Sequence, residues 1–592
     1  MSDEEWYDVV VVGAGVAGAL IAKAVSDAKL TALVLEAGPE RATSFDGYQR
    51  HVRHFYAAAA KNAESAWPPD PHAPQPDTAD IRQGSGYFIQ RGPDRYGSSY
   101  TRARGGSTLH WLGVSLRMLP EDFGIRTRYG VGRDWPIGYD ELEPYYRKAE
   151  VAMGVSADVA DQRYHGLTFG EGYDYPMRRL PLSYSDTKLA EAIAGLTVDV
   201  GAGPVPVTVR SYPAARNSTP RPGYRPIGTI DKRPEGGEVE MFVGERCAGN
   251  TSCTPICPIQ AKYNAGRTLT QADDTYLRLI PQAVVSHIDI DSESGQVSGL
   301  TYLRYDDSGF TIHRVRGGAY VLAAHAVENA KLMLLSGLGG QHVGRNLMDH
   351  PALYAWGLAP EPIGAFRGPL STAGIEELRA GAFRSQHAAF RFDVGNDGWR
   401  ATTGAPDTTV AAAIRQQGLY GPRLRESLAA ALSRQVRLSL AVEQLPDPAN
   451  QVTIDPSQRD PLGIPRPAIS YQIDDYTKAG MAAATQVAQA IFQRAGIADC
   501  TDHASGTWFP TVTWGDQVFA YHGMGHFAGT HAMGSGPHDS VVDSYQRSWE
   551  HRNLYLVGSG SMPTMGTSNP TLTLAALAIR TAEQLIASMS RG

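Results

Sequence analysis

Asp8-Val9-Val10-Val11-Val12-Gly13-Ala14-Gly15-Val16-Ala17-Gly18 is the stretch whose reading decides the fold. An apolar β-branched run opens directly onto glycines spaced G-x-G-x-x-G. Ala19 to Asp27 then reads as a helix, and a second apolar run, Leu30 to Leu35, ends in Glu36. Strand, glycine turn, helix and strand, with an acid roughly twenty residues beyond the glycines, is the pattern of a βαβ unit that holds a dinucleotide. Gly13 permits the tight turn, Gly15 lets backbone approach a pyrophosphate, and Gly18 lets helix pack on strand. The helix start then faces phosphate with free N–H groups and the positive end of its dipole. Glu36 can accept hydrogen bonds from both ribose hydroxyls. A lone glycine motif is weak, and glycines kept only for packing are the alternative. The flanking strand, helix and acid favour nucleotide binding without deciding which dinucleotide.

Downstream, Trp67 to Asp80 is rich in Pro and Asp and reads as loop. A glycine-bounded polar turn occupies residues 102–117. Trp135 to Met153 looks helical and ends at Gly154. Ala319 to Ala324 reads as a strand before the helix Ala326 to Leu335, and further strands are expected around Arg437 to Glu443 and Gln451 to Asp455. Asp475 to Ala495 has a helical pattern. A last strand, Leu554 to Val557, runs into Gly558, a loop, and a helix from Thr571 onward. Strand–glycine–helix grammar returns only at this end, so the nucleotide domain is expected to be assembled from separated segments with a second domain inserted between them.

The 592 residues suffice for a large core and more than one domain. Hydrophobic residues make up 42% and charged residues 19%, as in an ordinary globular protein. A net charge of −7 argues against a nucleic-acid partner, which needs a basic face. No stretch approaches the ~20 apolar residues of a transmembrane helix. The acidic start, Ser2-Asp3-Glu4-Glu5, is unlike a secretory leader, so a cytoplasmic location is the default expectation, with the periplasm the alternative if a partner subunit carries the export signal. Only 4 cysteines occur, which is no secreted disulfide framework. Three are clustered as Cys247-x5-Cys253-x3-Cys257-Pro258. Three thiolates on a Gly- and Pro-containing loop make a sensible iron–sulfur ligand set. Zinc is less suited, because no fourth ligand lies at short spacing. Buried thiols, or one disulfide and a spare, are the plain alternative.

Several further pieces carry a resemblance. They are Arg104-Gly105-Gly106-Ser107-Thr108-Leu109-His110-Trp111, Ala323-Ala324 with its helix, Val343 to Pro351 with Asn346-Leu347-Met348-Asp349-His350-Pro351, Glu443-Gln444-Leu445-Pro446 onward to Tyr471, and Gly558 to Thr573. With the N-terminal unit they span nearly the whole chain, which resembles the glucose–methanol–choline (GMC) oxidoreductases. The likeness is greatest to sugar-oxidising members: pyranose oxidases, glycoside 3-oxidases and 3-dehydrogenases, and FAD glucose dehydrogenase catalytic subunits. It implies an α/β and α+β fold, a Rossmann-like FAD-binding domain of discontinuous segments (1–145, 221–352 and 508–592) and an inserted antiparallel-sheet substrate domain (146–220 and 353–507). FAD contacts are expected from Gly13, Gly15, Gly18, Glu36, Arg104, Gly106, Ser107, His110, Val285, Gly558, Asn569 and Thr571.

Alcohol oxidation by a flavin needs a base for the hydroxyl proton while the carbinol hydrogen leaves as hydride. Histidine suits the base, because its pKa lies near neutrality. The resemblance makes His526 the base and Asn569 its partner; His531 is the rival base. Asn569-Pro570-Thr571 also begins a helix, so Asn569 could be only a cap. In pyranose oxidases a histidine at the offset of His110 carries FAD covalently, whereas related dehydrogenases lack that bond, and both remain open here. The cysteines resemble the [3Fe-4S] loop of FAD glucose dehydrogenases, giving Cys247, Cys253 and Cys257 as ligands. The leading expectation is a sugar or glycoside dehydrogenase that passes electrons through the cluster to a partner, with a small subunit and a cytochrome c as candidates. An oxygen-using pyranose or glycoside 3-oxidase that makes peroxide is the alternative. A flavoprotein that only relays electrons, or a nicotinamide-linked dehydrogenase, fits less well. Pocket residues are expected around Glu443 and Gln444 and near Tyr521 and His522.

Overall fold

The computed structural model describes residues 5–40, 45–58, 66–67, 70–74, 86–231, 240–249, 253, 256–365, 367–399, 410–411, 413–501 and 509–590. Pro68, Pro69 and residues 75–80 of the expected loop lie outside the described residues, as do 250–252 and 254–255 of the cysteine loop.

The first unit forms as its pattern implies: β1 (Trp6–Val12), α1 (Val16–Asp27) and β2 (Ala32–Leu35). α1 begins three residues earlier than its apolar pattern suggests, because Gly15 caps it in an extended conformation. β1 pairs in parallel with β2 on one side, Val10 opposite Leu33. On its other side it pairs with the end of Gly309–Leu322, Val10 opposite Tyr320. Leu277–Ile280 extends the parallel sheet beyond β2, and Leu554–Leu556 extends it beyond Leu322. Neighbours in this sheet come from three remote parts of the chain, as the discontinuous pattern required.

Gly309–Leu322 is far longer than the expected Ala319 to Ala324. Its first half is largely exposed and pairs antiparallel with Val297–Asp306, so apolar continuity marks only the buried end. The helix expected from Trp135 starts at Tyr139. Pro136 disfavours helical backbone at Trp135, and Glu141 reaches back to accept from the Gly138 N–H. It ends on Gly154 at φ +65°, the left-handed cap for which glycine is suited. No helix among the described residues is long and apolar enough to cross a membrane.

A second, antiparallel sheet runs Ala498–Asp499, Pro351–Leu358, Gln435–Val442, Phe390–Gly395, Ala373–Ile375 and Arg210–Ser211, with His522–Gly523 on the edge of Pro351–Leu358. Side chains alternate faces along a strand. Leu353, Phe390, Phe392, Leu438 and Leu440 pack on one face in a core shared with Met481, Ala484, Val487 and Ile491 of the helix Asp475–Arg494. The opposite phase supplies polar groups. Tyr354 and Asp393 both stand opposite Ser439 across three adjacent strands, and all three face the cavity that contains the glycine turn.

Candidate active site

A cavity of about 610 Å³ runs from the glycine turn of β1–α1 to the second sheet. At one end are Gly13, Gly15 and Glu36. Gly13 takes φ +103°, and a side chain there would meet the Ala323 carbonyl 2.6 Å away. A Cβ on Gly18 would come within 2.0 Å of the Gly13 carbonyl, so that glycine serves packing and does not line the cavity. A Cβ on Gly15 would meet nothing within 4 Å: the space above this backbone is open for a ligand. Gly106, at φ +55°, closes over Gly15 with its Cβ direction only 3.2 Å from the Gly15 Cα. The Glu36 carboxylate is buried and accepts from the Ala14 and Gly38 N–H groups, each at 2.8 Å. Burial raises its pKa, and the two N–H donors oppose that rise. These features suit the ribose and pyrophosphate of a dinucleotide.

Ser107, His110, Val285, Gly558 and Thr571 all line the same cavity. Arg104 does not; its guanidinium pairs with Glu40 at 2.6 Å. His110 is pushed down to about 4 by burial and by the Lys262 charge, so it is neutral at neutral pH.

At the far end stand His526 and Asn569. His526 follows the β-bridge edge at His522–Gly523, and its backbone N–H donates to Asp349 Oδ1 at 3.0 Å. Asp349 also accepts the His350 N–H at 2.7 Å and a hydrogen bond from Ser98, whose hydroxyl oxygen in turn accepts the Gly525 N–H. Burial raises Asp349 to about 6. Asn569 sits at the start of the helix Pro570–Met589, but its side chain makes no capping bond. Its Oδ1 accepts from Arg391 at 2.8 Å and its Nδ2 meets His526 Nε2 at 3.2 Å. The capping alternative therefore fails: the side chain is turned into the site. Burial, with the nearby His350 and Arg391, lowers His526 well below the ordinary imidazole range, so it is neutral and able to accept a proton.

His531, the rival base, is fully buried away from the cavity and meets Asn329 Nδ2 at 3.2 Å. Of the expected pocket residues, His522 lines the cavity. Glu443 instead pairs with buried Arg384 at 2.6 Å, and Gln444 bonds Tyr471 and the Asp349 N–H. Tyr521 gives its hydroxyl to the Arg95 carbonyl. The polar wall comes from residues that sequence reasoning missed: Tyr354, Asp393, Asp397, Arg437 and Ser439. Asp393 is paired with Arg391 and Asp397 with Arg437, each at 2.6 Å, so the wall is polar with its charges matched. The alternation of Arg391 to Asp393, and of Arg437 to Ser439, against an otherwise apolar strand is the signal that could have found them.

Cys247, Cys253 and Cys257 are free and buried. Burial raises the Cys247 thiol, and the other two thiols push it the same way. Among the described residues no three His, Cys, Asp or Glu side chains converge to hold a metal ion. Three buried cations adjoin the loop. Lys262 donates to the carbonyls of Trp111 and Cys253. Arg216 donates to those of Leu112 and Leu370, and Arg267 to those of Val243 and Gln260. Among the described residues none of the three has a carboxylate partner.

A Rossmann sheet whose cavity ends on a neutral histidine and an amide defines a dinucleotide-dependent oxidoreductase. Two family profiles, both described as GMC oxidoreductase, match residues 238–352 and 446–578. The chain is 31% identical to the fructose dehydrogenase large subunit of Gluconobacter japonicus, over 99% of this chain and 98% of the relative. It is 24% identical to the gluconate 2-dehydrogenase flavoprotein of Pantoea cypripedii, over 96% and 92%. Pyridoxine 4-oxidase from Mesorbium loti shares the fold with a TM-score of 0.59 at 19% identity, over 98% of this chain and 99% of that one. The chain belongs to the GMC oxidoreductase family and is an enzyme acting on CH–OH groups. Membership implies FAD, and the open space over Gly15, the acceptor Glu36 and a cavity lined by both the glycine turn and the His526–Asn569 pair fit it.

Proposed function

We propose that the chain oxidises a secondary hydroxyl of a sugar or glycoside to the keto-sugar, with His526 as base and electrons leaving by way of an iron–sulfur cluster to a redox partner. The observation that carries the reading is the facing pair His526 Nε2 and Asn569 Nδ2, 3.2 Å apart at the polar end of the cavity. A hydroxyl entering between them accepts from the Asn569 amide in place of His526 and turns its proton to the freed Nε2 lone pair. Bound FAD supplies the hydride acceptor, flavin N5. His526 takes the proton as the carbinol hydrogen departs, and Asn569 fixes which hydrogen points away from the base. Tyr354, Asp393, Asp397 and Ser439 hold the remaining hydroxyls, and the charge-matched wall suits a neutral polyol.

His110 lines the cavity as a neutral ring, so its nitrogen could hold FAD covalently. Support for a [3Fe-4S] cluster is the set of three buried thiols beside three buried cations that have no carboxylate partner among the described residues, since three thiolates would match that charge. The cluster would supply one-electron steps toward the partner. A small subunit and a cytochrome c remain the partners proposed, by analogy with the relative named a large subunit.

The test is the visible spectrum of oxygen-protected protein before and after adding D-fructose, D-glucose or a methyl glucoside. Flavin bands over a broad background that bleach with sugar support the reading, and peroxide formed in air would move it to the oxidase. His526→Ala should keep the flavin bands and bleach ~100- to 10,000-fold more slowly. Bleaching at the wild-type rate would remove His526 from the role of base.

A further inference from the structure

His526 can act as base only if its proton sits on Nδ1 and its lone pair on Nε2, and the opposite tautomer is useless. We propose that His350 and Arg391 are positioning residues that lock His526 in the productive tautomer from both sides of its ring. The proposal rests on His526 being the base.

The assignment follows from groups that can only donate or only accept. On one side His350 Nε2 lies 2.8 Å from the Gly566 carbonyl, which can only accept. His350 Nε2 therefore carries a proton. His350 is fully buried, and burial with the nearby Arg391 and Arg379 charges holds it down to about 4. As a neutral ring its Nδ1 must be the acceptor. That Nδ1 lies 2.8 Å from His526 Nδ1, so His526 Nδ1 must donate.

The other side gives the same answer independently. Arg391 has no acceptor, so the Asn569 atom 2.8 Å from it must be the amide oxygen. The Asn569 NH₂ group then faces His526 Nε2 at 3.2 Å, which must accept. Arg391 is itself held by Asp393 at 2.6 Å, by Tyr212 and by the Thr567 carbonyl. With His350 neutral, any other proton placement sets two donors or two acceptors against each other somewhere in the chain Gly566–His350–His526–Asn569–Arg391. A bound hydroxyl comes between Asn569 Nδ2 and His526 Nε2, so when the substrate O–H bond breaks the new Nε2–H points at the substrate oxygen, and the imidazolium goes on donating from Nδ1 to His350. The C–H electron pair leaves with its hydrogen as hydride to FAD, so no proton need move within the clamp.

The experiment compares His350→Leu, His350→Gln and His526→Ala by anaerobic flavin bleaching, per bound flavin, with whichever of D-fructose or D-glucose bleaches the wild type. Leucine can neither accept from His526 nor donate to Gly566. It should lower the bleaching rate at saturating sugar ~100- to 10,000-fold, the range for losing a general base, leave the half-saturating sugar concentration within about threefold, and raise the solvent deuterium isotope effect. Glutamine offers one carbonyl and one NH₂ and should restore the rate to within about tenfold of wild type. A His350→Leu rate within about threefold of wild type, while His526→Ala is slow, overturns the clamp and leaves the base standing. Normal rates in both overturn the base first. Should His350→Leu fail to retain flavin, His350→Gln decides alone. A rate within about tenfold with the wild-type isotope effect supports the clamp, and a hundredfold loss on intact flavin overturns it.

Discussion

Asn569→Asp changes one NH₂ to an oxygen and almost nothing else in volume. Arg391 keeps its acceptor, because either carboxylate oxygen can take its hydrogen bond at the present 2.8 Å. The other oxygen now faces His526 Nε2 at the present 3.2 Å, where an NH₂ group stood. Two effects follow. The substrate hydroxyl loses its donor, and a negative charge beside the imidazole favours its protonated form. At an effective dielectric of ~20 a charge pair at this distance is worth about 5 kcal/mol. The Arg391 charge on the far side of the carboxylate offsets part of that. A remainder of about 3 kcal/mol raises the histidine's titration by ~2 pH units. Because a general base must be unprotonated, kcat/KM falls on the acid side and recovers as pH rises. The expected result at neutral pH is a loss of ~100-fold or more in bleaching rate, with an acid limb displaced upward relative to wild type. The assay is anaerobic stopped-flow bleaching between pH 5 and 9, with flavin content measured for each preparation. An Asn569→Asp enzyme that bleaches within threefold of wild type across that range would refute the reasoning, since neither the donor nor the sign of the neighbouring charge would then matter.

Gly18→Ala places a methyl 2.0 Å from the Gly13 carbonyl, a contact between backbone segments that cannot yield. The variant should purify without flavin or fail to accumulate, and a yellow, stable Gly18→Ala protein would show that the turn can open to admit the methyl. Acid sensitivity is a second expectation, because His110 and His350 are held down to about 4, and His325 and His531 to about 3. Their folded pKa values lie below the unfolded value near 6.5, so the unfolded chain binds more protons, and stability is lost as pH falls through 6.5. Between pH 6.5 and 5.5 each histidine costs about 1 kcal/mol. Asp349, raised to about 6, works in the opposite sense by somewhat less than 1 kcal/mol. These five groups together give a loss of about 3 kcal/mol, which should appear as a clear drop in the midpoint of urea unfolding, and a midpoint unchanged over that interval would show that these rings are solvated.

The sequence made legible whatever the backbone itself encodes. The glycines announce themselves because only they fit: Gly13 needs positive φ and Gly18 needs a missing Cβ. β1 follows from its β-branched run, whereas α1 starts three residues before its apolar pattern because Gly15 caps it. Where the pattern weakened, burial had changed. The exposed half of Gly309–Leu322 carries no apolar continuity, so only its buried end reads as strand. His526 and Asn569 were found through the family resemblance, because a histidine and an asparagine say little alone, and the cap position of Asn569 offered a plain competing role.

The residues that spacing could not reveal are those whose function exists only through a partner. Arg391 lies in a strand between two phenylalanines and reads as an oddity in a core segment; its meaning comes from Asn569, 178 positions away. His350 likewise acquires a role only from His526 and the Gly566 carbonyl. The architecture explains why such residues gather here. The second sheet is buried on both faces, so any polar side chain in the cavity-facing phase must find a partner or leave a costly unpaired group. A phase that carries Tyr354, Arg391, Asp393, Arg437 and Ser439 is tolerable only because these groups satisfy one another or face the cavity. That mutual satisfaction makes the wall stiff. A stiff wall is what a base of fixed tautomer requires, because Arg391 can orient the Asn569 amide only while Asp393, Tyr212 and the Thr567 carbonyl leave the guanidinium no other position.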